Sequence, residues 1–305
     1  MHIVIPDDYQ DCVRHLDCFQ SLNGHQVTVY NDTVSDLETL VQRFAEADAL
    51  VLIRERTPIT AELVARLPKL KVISQTGGGV AHIDVAACEQ RGIAVVAGSP
   101  SPYAAAELTW ALVLAAMRHI PEEVANMKAG RWQQTLGVGL RGRTLGVWGY
   151  GRIGRLVAQY AQAFEMNVLV WGREGSLERA ADAGLAVASS CSELLSRSDV
   201  VSLHLKLCPE TRGIVGPAEL AQMQPTALLV NTSRAELIAP GALVAALQQG
   251  RPGRAAVDVY EQEPVVDHPL LHCPNALCTP HLGYVERDSY ELYLGTAFAN
   301  LRPFM

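Results

Sequence analysis

The sequence predicts an α/β protein built as two doubly wound parallel-sheet domains. Three observations carry this. Short apolar runs, often β-branched, alternate with helical stretches along most of the chain, as in parallel sheets covered by helices on both faces. Eleven such runs occur, which is many for one open sheet. At 305 residues the chain is also too long for one ordinary domain and comfortable as two.

In the first part the expected strands are HIVIP, QVTVYN, ALVLIR, KVISQ and IAVVAG. In the second they are TLGVWG, NVLVWG, VVSLHL, ALLVNTS, AAVDVY and ALCTP. Helical periodicity lies between them, as in SLERAADAGLA and GALVAALQQG. The domain boundary is expected near AGSPSPYAAAELTW. There Ser101 suits a helix cap and Pro102 the first turn. The helix from there to about Arg118 is apolar nearly all round, so it is expected to be buried. The stretch VERDSYELYLGTAFANLRPF reads as a closing helix.

Composition narrows the function. Apolar residues make up 49% of the chain and charged residues 19%, so a sizeable core is expected and disorder is not. The net charge of -7 argues against nucleic acid, whose partners normally carry a basic patch. Seven cysteines are scattered without a C-x-x-C pair. That argues against a disulfide framework or a zinc site and fits a reducing cytoplasm. MHIVIP begins directly as a strand, and the longest apolar stretch, LTWALVLAAM, is too short to span a bilayer. No membrane, metal or nucleic-acid role is expected.

The first chemical signal is Gly149-Tyr150-Gly151-Arg152-Ile153-Gly154, a G-x-G-x-x-G turn. It follows the expected strand TLGVW and opens the helix RIGRLVAQYAQAF. In that context the pattern is the dinucleotide fingerprint of a Rossmann domain. Gly149 permits the tight turn, Gly151 lets a pyrophosphate approach, and Gly154 allows close helix packing. Arg152 and Ile153 open the helix, whose N-terminus favours the anion. NAD sites usually place a carboxylate about 20 residues on, against the ribose hydroxyls. Here the end of NVLVW carries Gly172 and then Arg173. The carboxylate is missing and a guanidinium is offered, so NADP is favoured over NAD. The alternative is a solvated Arg173 in a turn, with NAD bound less selectively.

Three later segments each follow an expected strand. VNTSRAELI carries Arg234, VDVYEQEP carries Asp258 and Glu263, and CTPHLGY carries His281. Loops at the carboxyl edge of a parallel sheet converge there, although 29 residues separate Arg234 from Glu263 and 18 more lead to His281. These residue types suit reduction of a 2-keto acid. A nicotinamide supplies hydride, His281 a proton, and Glu263 orients the ring and favours its charged form. Arg234 holds the carboxylate and polarises the carbonyl.

With these residues in view, the sequence resembles the D-isomer-specific 2-hydroxyacid dehydrogenases, the family of D-3-phosphoglycerate dehydrogenase and glyoxylate/hydroxypyruvate reductase. The resemblance runs over nearly the whole chain. Its pieces are GGGVAHID, AAELTWALVLAAMR, LRGRTLGVWGYGRIG, PETRGIVG, VNTSRAELI, AVDVYEQEP and TPHLG. It implies Arg234 as the substrate arginine, Glu263 as the partner of the histidine, and His281 as the acid/base. It implies Asp258 against the nicotinamide carboxamide, and Thr232 and Ser233 near that ring. Leu205, Lys206 and Thr211 would line the adenosine pocket, although Lys206 stands where the family usually has proline. The architecture implied is a cofactor domain, residues 99–283, inserted into a flavodoxin-like substrate domain, residues 1–98 with 284–305. Substrate is then expected in the cleft between domains, and a homodimer is expected through the inserted domain's first helical segment.

For the substrate end, QTGGGVAH offers consecutive backbone N–H groups as an anion nest, which the resemblance places at Gly78 and Gly79. The resemblance also implies that LIRERTPIT, with Arg54 and Glu55, lies at the far end of the substrate. Arg54 suits an anion, but Glu55 would repel a phosphate if it faced the pocket. A non-catalytic alternative is a dinucleotide-sensing corepressor, which the intact Arg-Glu-His set does not favour. Formate dehydrogenases share the fold but carry Gln in the place of Glu263.

Overall fold

All strand pairing in the computed structural model, which describes residues 1–98 and 101–305, is parallel. The chain divides into two units, Met1–Ser101 with Val285–Met305, and Pro102–Tyr284. The eleven expected strands are all present.

Unit 1 holds β1 (His2–Ile5), β2 (Gln26–Val29), β3 (Ala49–Leu52), β4 (Val72–Gln75) and β5 (Ala94–Ala97), in the order β2-β1-β3-β4-β5. Val4 pairs with Thr28 on one side and Leu50 on the other, which sets the register at the centre. Ile3, Val4, Ile5, Leu50 and Ile73 are fully buried. Such all-apolar strands are what a sheet covered on both faces requires. Helices α1 (Leu37–Phe44), α2 (Ala61–Ala65) and α3 (Val85–Gln90) begin at Asp36, Thr60 and Asp84, whose side chains accept backbone N–H groups of the first turn. Each such cap is worth about 1 kcal/mol.

Unit 2 begins with α4 (Tyr103–Met117) and α5 (Ile120–Lys128). Its strands are β6 (Thr144–Trp148), β7 (Asn167–Trp171), β8 (Ala186–Val187), β9 (Val200–Leu203), β10 (Leu228–Asn231), β11 (Arg254–Val257) and β12 (Ala276–Cys278), and their order is β12-β11-β10-β9-β6-β7-β8. The connecting helices are α6 (Arg152–Ala163), α7 (Glu174–Asp182), α8 (Cys191–Arg197), α9 (Pro217–Leu220) and α10 (Ala242–Gln248). Helix α4 buries Ala106, Trp110, Val113 and Met117 in the same core cluster as Val147, Val157 and Val230, so its apolar surface is used within this unit. The chain runs one way from β6 and the other way from β9. The edge between them is therefore the switch point where such sheets take ligands.

The last helix, α11 (Arg287–Ala299), belongs to unit 1. Its Glu291 carboxylate accepts the backbone N–H groups of Asp17 (2.6 Å) and Cys18 (2.9 Å). The Ser74 hydroxyl donates to Ala297 O at 2.9 Å.

Three local expectations differ. The expected junction after residue 98 abuts Ser99 and Pro100, which lie outside the described residues; the division falls after Ser101 and, at the other end, after Tyr284. Tyr284 stays with unit 2, where its ring meets His281 edge-on at 5.5 Å. Ser101 is not the cap of α4. Pro102 holds that position without a side-chain bond, and the Ser101 N–H is used by the Tyr293 hydroxyl (3.0 Å). Finally, Ala186, the last residue of the expected helical stretch SLERAADAGLA, opens the strand β8. Gly184, at φ +72°, ends that helix early, and Ala186–Val187 then pairs with β7. Two residues show no periodicity.

Candidate active site

The glycine turn after β6 is built as its spacing requires. Gly149 sits at φ +103°, and a Cβ there would lie 2.6 Å from His204 O. A Cβ on Gly154 would overlap Gly149 O, whereas Gly151 faces open space. Gly151 is the N-cap of α6, so the N–H groups of Arg152 and Ile153 lie in the helix's unsatisfied first turn. A cradle that side chains would fill, set at a helix N-terminus, fits a dinucleotide pyrophosphate.

Gly172 follows β7 directly and has room for a Cβ. A Cβ would meet Ser176 Cβ at 3.4 Å, an ordinary contact. Arg173 is exposed at the start of α7, and its Nη2 donates to Cys208 Sγ at 3.2 Å. A second guanidinium was not expected here. Arg179 Nη2 reaches Ser176 Oγ (3.3 Å) and Tyr150 O (3.4 Å) inside the phosphate turn. The facing loop follows β9. Thr211 Oγ1 donates to Lys206 O (2.7 Å) and accepts the Cys208 N–H (2.9 Å), while the Lys206 side chain is exposed. Ser233 Oγ ties Leu205 O at 2.9 Å, so the loops after β9 and β10 are joined.

Glu263 and His281 come together as expected. Oε2 of Glu263 lies 2.6 Å from His281 Nδ1. Its Oε1 accepts the Tyr260 N–H at 3.0 Å. Burial would raise the Glu263 carboxyl, but the bond to His281, its charge and that of Arg234 together hold it below the ordinary carboxylate value. A charged Glu263 on Nδ1 holds a proton there, and Nε2 has no partner among the described residues. His281 is also one of the few non-glycine residues with left-handed backbone, at φ 52°. Such a conformation persists where its surroundings dictate it.

Those surroundings are supplied by Asp258. It is fully buried at the end of β11. Oδ1 accepts from Thr279 Oγ1 (2.6 Å) and Leu282 N (2.7 Å), and Oδ2 from Gly283 N (2.9 Å). Both sides of His281 are thus pinned to one carboxylate, which burial pushes up in pKa. Arg234 stands beyond β10, half-buried, with Nη1 donating to Ser233 O at 2.8 Å. Asn231, unremarked in the sequence, braces this turn from below. Its amide donates to Arg234 O (2.9 Å) and its carbonyl accepts the Ser233 N–H (3.1 Å). Thr232 pairs with Thr109 through their hydroxyls, 2.6 Å apart.

In unit 1 the loops after β3 and β4 gather Arg54, Gly78 and Gly79. Arg54 is left-handed at φ 62°, and its N–H donates to Thr76 Oγ1 at 3.0 Å. A Cβ on Gly77 would lie 2.9 Å from the Arg54 guanidinium, and one on Gly79 would overlap the Glu55 carboxylate. Gly78 is exposed between them. Glu55 therefore faces the glycine turn. His82 is half-buried and neutral-leaning, its pKa lowered by burial.

A parallel α/β unit with a dinucleotide turn at its switch point and an Arg-Glu-His set on the adjoining loops defines a class of nicotinamide-cofactor protein. Residues 110–283 match the model for the D-isomer specific 2-hydroxyacid dehydrogenase, NAD binding domain. The chain is 39% identical over 280 residues to glyoxylate reductase of Aeropyrum pernix, covering 88% of this chain and 82% of that one. It is 42% identical over 249 residues to D-3-phosphoglycerate dehydrogenase of Methanocaldococcus jannaschii. That match takes in 81% of this chain but only 47% of the relative, so the chain spans about half that protein's length. A crystal structure of phosphoglycerate oxidoreductase from Vibrio cholerae o395 superposes with a TM-score of 0.96 at 52% identity, covering 100% of this chain and 98% of that one. The chain belongs to the D-isomer specific 2-hydroxyacid dehydrogenase family.

Among the described residues no helix is long and apolar enough to cross a membrane, and no cluster of His, Cys, Asp and Glu suits a metal ion. All seven cysteines are free.

Proposed function

We propose that the chain is a nicotinamide-dependent reductase of small 2-keto acids, interconverting them with D-2-hydroxy acids. The observation that carries this is the 2.6 Å Glu263–His281 pair, set on the same sheet edge as the Gly149–Gly154 turn. The turn and the N-terminus of α6 hold the pyrophosphate; Thr232, Ser233 and Asp258 serve the nicotinamide end, and Leu205, Lys206 and Thr211 the adenosine end. When bound, the nicotinamide supplies hydride to the carbonyl carbon. His281 gives the Nε2 proton to the carbonyl oxygen, and Glu263 stabilises the ring while it is charged. Arg234 turns from its own backbone to the substrate carboxylate and polarises the carbonyl.

The cofactor read from this site is NADP in preference to NAD. Two guanidiniums, Arg173 and Arg179, flank the end of β7, and no carboxylate stands at Gly172. The substrate read from unit 1 is an unphosphorylated acid. Gly78 and Gly79 take a carboxylate with Arg54, while Glu55 over Gly79 disfavours a second, doubly charged group. A homodimer is supported by Ile120, Val124 and Met127, exposed at i, i+4 and i+7 on α5, with Trp132 and Leu136 beyond them. Light scattering on the purified chain checks this, and a monomer at micromolar concentration removes it. Free cysteines suit the cytoplasm.

The test is kcat/KM for glyoxylate, hydroxypyruvate, pyruvate and 3-phosphohydroxypyruvate with NADPH and with NADH. Turnover is expected for unphosphorylated acids, with NADPH preferred. No turnover with any acid sinks the enzyme reading. A clear NADH preference sinks the cofactor reading alone.

A further inference from the structure

Glu263 rides on a loop that leaves β11 after Val257 and ends at the 3-10 turn Pro269–His272. Within that loop its carboxylate is held by the Tyr260 N–H and by His281 itself. Both bonds act at Glu263 itself, and a second pair spans the whole segment from 261 to 268. His268 Nε2 lies 3.1 Å from Glu261 Oε2, which closes residues 261 to 268 into a ring that contains Glu263. The tautomer is set from the other side: Nδ1 accepts the Leu270 N–H at 3.2 Å, so in the neutral ring the proton sits on Nε2 and is donated to Glu261.

The same imidazole meets the Tyr260 ring edge-on, with centroids 5.3 Å apart. Tyr260 is tied to both members of the acid/base pair. Its N–H holds Glu263, and its hydroxyl donates to Thr279 O at 3.1 Å, the carbonyl that also accepts the His281 N–H at 3.0 Å. As a stability element a half-exposed hydrogen bond from a neutral imidazole to a carboxylate is worth little. As a brace it has a definite geometric task, because misplacement of a reacting group by about 1 Å costs roughly a hundredfold in rate.

We infer that Glu261 and His268 are positioning residues, a clasp that holds the 261–268 loop in the shape that keeps Glu263 on His281 Nδ1. This rests on the acid/base reading of His281 given above. It adds two residues that touch neither substrate nor cofactor and act only through Glu263.

Three variants separate clasp from scaffold. His268→Asn keeps an acceptor for the Leu270 N–H, since Asn is among the best cap residues, but cannot reach Glu261. Glu261→Ala removes the other half at an exposed position. Glu261→Gln keeps an oxygen in place. The first readout needs no substrate: the downfield proton resonance of the His281 Nδ1–H bonded to Glu263, assigned by its loss in His281→Asn. It is expected to vanish in His268→Asn and Glu261→Ala and to persist in Glu261→Gln. The second is kinetic: kcat falls about tenfold in the first two variants, with KM for keto acid and cofactor within about twofold. The double variant Glu261→Ala/His268→Asn is no worse than either single, because one interaction is lost once. A retained resonance, wild-type kcat, or additive losses in the double variant overturns the clasp. Should His268→Asn fail to fold, Glu261→Ala carries the test alone. A wild-type protein that reduces no keto acid overturns the enzyme reading instead, and the resonance still judges the clasp.

Discussion

Both units present loops at the carboxyl edge of a parallel sheet, but they hold those loops by different means. In unit 2 two buried side chains, Asp258 and Asn231, supply most of the bonds. Asp258 makes three bonds to the segment around His281, Asn231 makes two beneath Arg234, and Glu263 is held at both oxygens. In unit 1 the loop chemistry is carried by Arg54 and Glu55, long side chains laid against a run of glycines. The difference teaches a division of labour. On the function proposed above, proton transfer tolerates little displacement, which fits the many bonds in unit 2, and recognition by unit 1 would tolerate more.

The largest break in this comparison comes from the locked side. His281→Ala is expected to lower keto-acid reduction by about a hundredfold or more, as loss of a general acid should, while cofactor affinity measured by fluorescence titration hardly changes. A mutant that transferred hydride at the wild-type rate in a single turnover would remove His281 from the chemistry.

Arg234→Lys comes next. It keeps the charge and loses the planar fork. One charge-assisted bond is worth about 1.5 to 3 kcal/mol, so kcat/KM should fall roughly ten- to a hundredfold. Equal kinetics for Arg and Lys would reduce Arg234 to charge attraction.

How much of this was legible in the sequence follows the same divide between local and remote causes. The glycine turn was legible because each glycine answers a local steric demand: Gly149 needs its positive φ, and Gly154 its missing Cβ. The strands were legible because strands buried on both faces must be apolar throughout. The Glu263–His281 pair was legible from loops that follow strands, together with the family resemblance. What stayed hidden was the bracing. Nothing in the local pattern says that Asp258 reaches Thr279, Leu282 and Gly283. Nor does it say that Asn231 turns under Arg234 or that His268 closes on Glu261. Arg179 was missed because it lies inside a helix, where a solvated guanidinium is the ordinary expectation. The Ser101 cap failed because two adjacent residues both suit a helix start, and the helix began one residue later.

The cofactor end sits between the two extremes: Arg173 is exposed, yet its guanidinium has a fixed partner in Cys208. Arg173→Ala should weaken NADPH about tenfold and leave NADH nearly unchanged, since one phosphate contact is lost at a solvated site. At Gly172 a Cβ meets only ordinary contacts, so Gly172→Asp is the informative variant. It should move the preference toward NADH by adding a ribose acceptor and a like charge beside the phosphate. The measurement is the ratio of kcat/KM for the two cofactors on one keto acid. An unmoved ratio in both variants would assign the choice to another loop.

The smallest expected effect tests the soft side of the comparison. Glu55 is exposed and its carboxylate lies over Gly79. If unit 1 selects by charge alone, then Glu55→Gln keeps the packing and removes only the repulsion. Two like charges about 4 Å apart in water oppose each other by about 1 kcal/mol, or roughly fivefold. So kcat/KM for 3-phosphohydroxypyruvate should rise by about that factor. For glyoxylate, which has no distal group to repel, the rate should stay within about twofold. Because Glu55 takes no part in the proposed proton transfer from His281, kcat for glyoxylate and its pH profile should also stay put. A Glu55→Gln variant that lost glyoxylate kcat would show that the unit 1 loops are as locked as those of unit 2. A variant with an unchanged ratio between the two acids would show that Glu55 lies outside the reach of the substrate's far end.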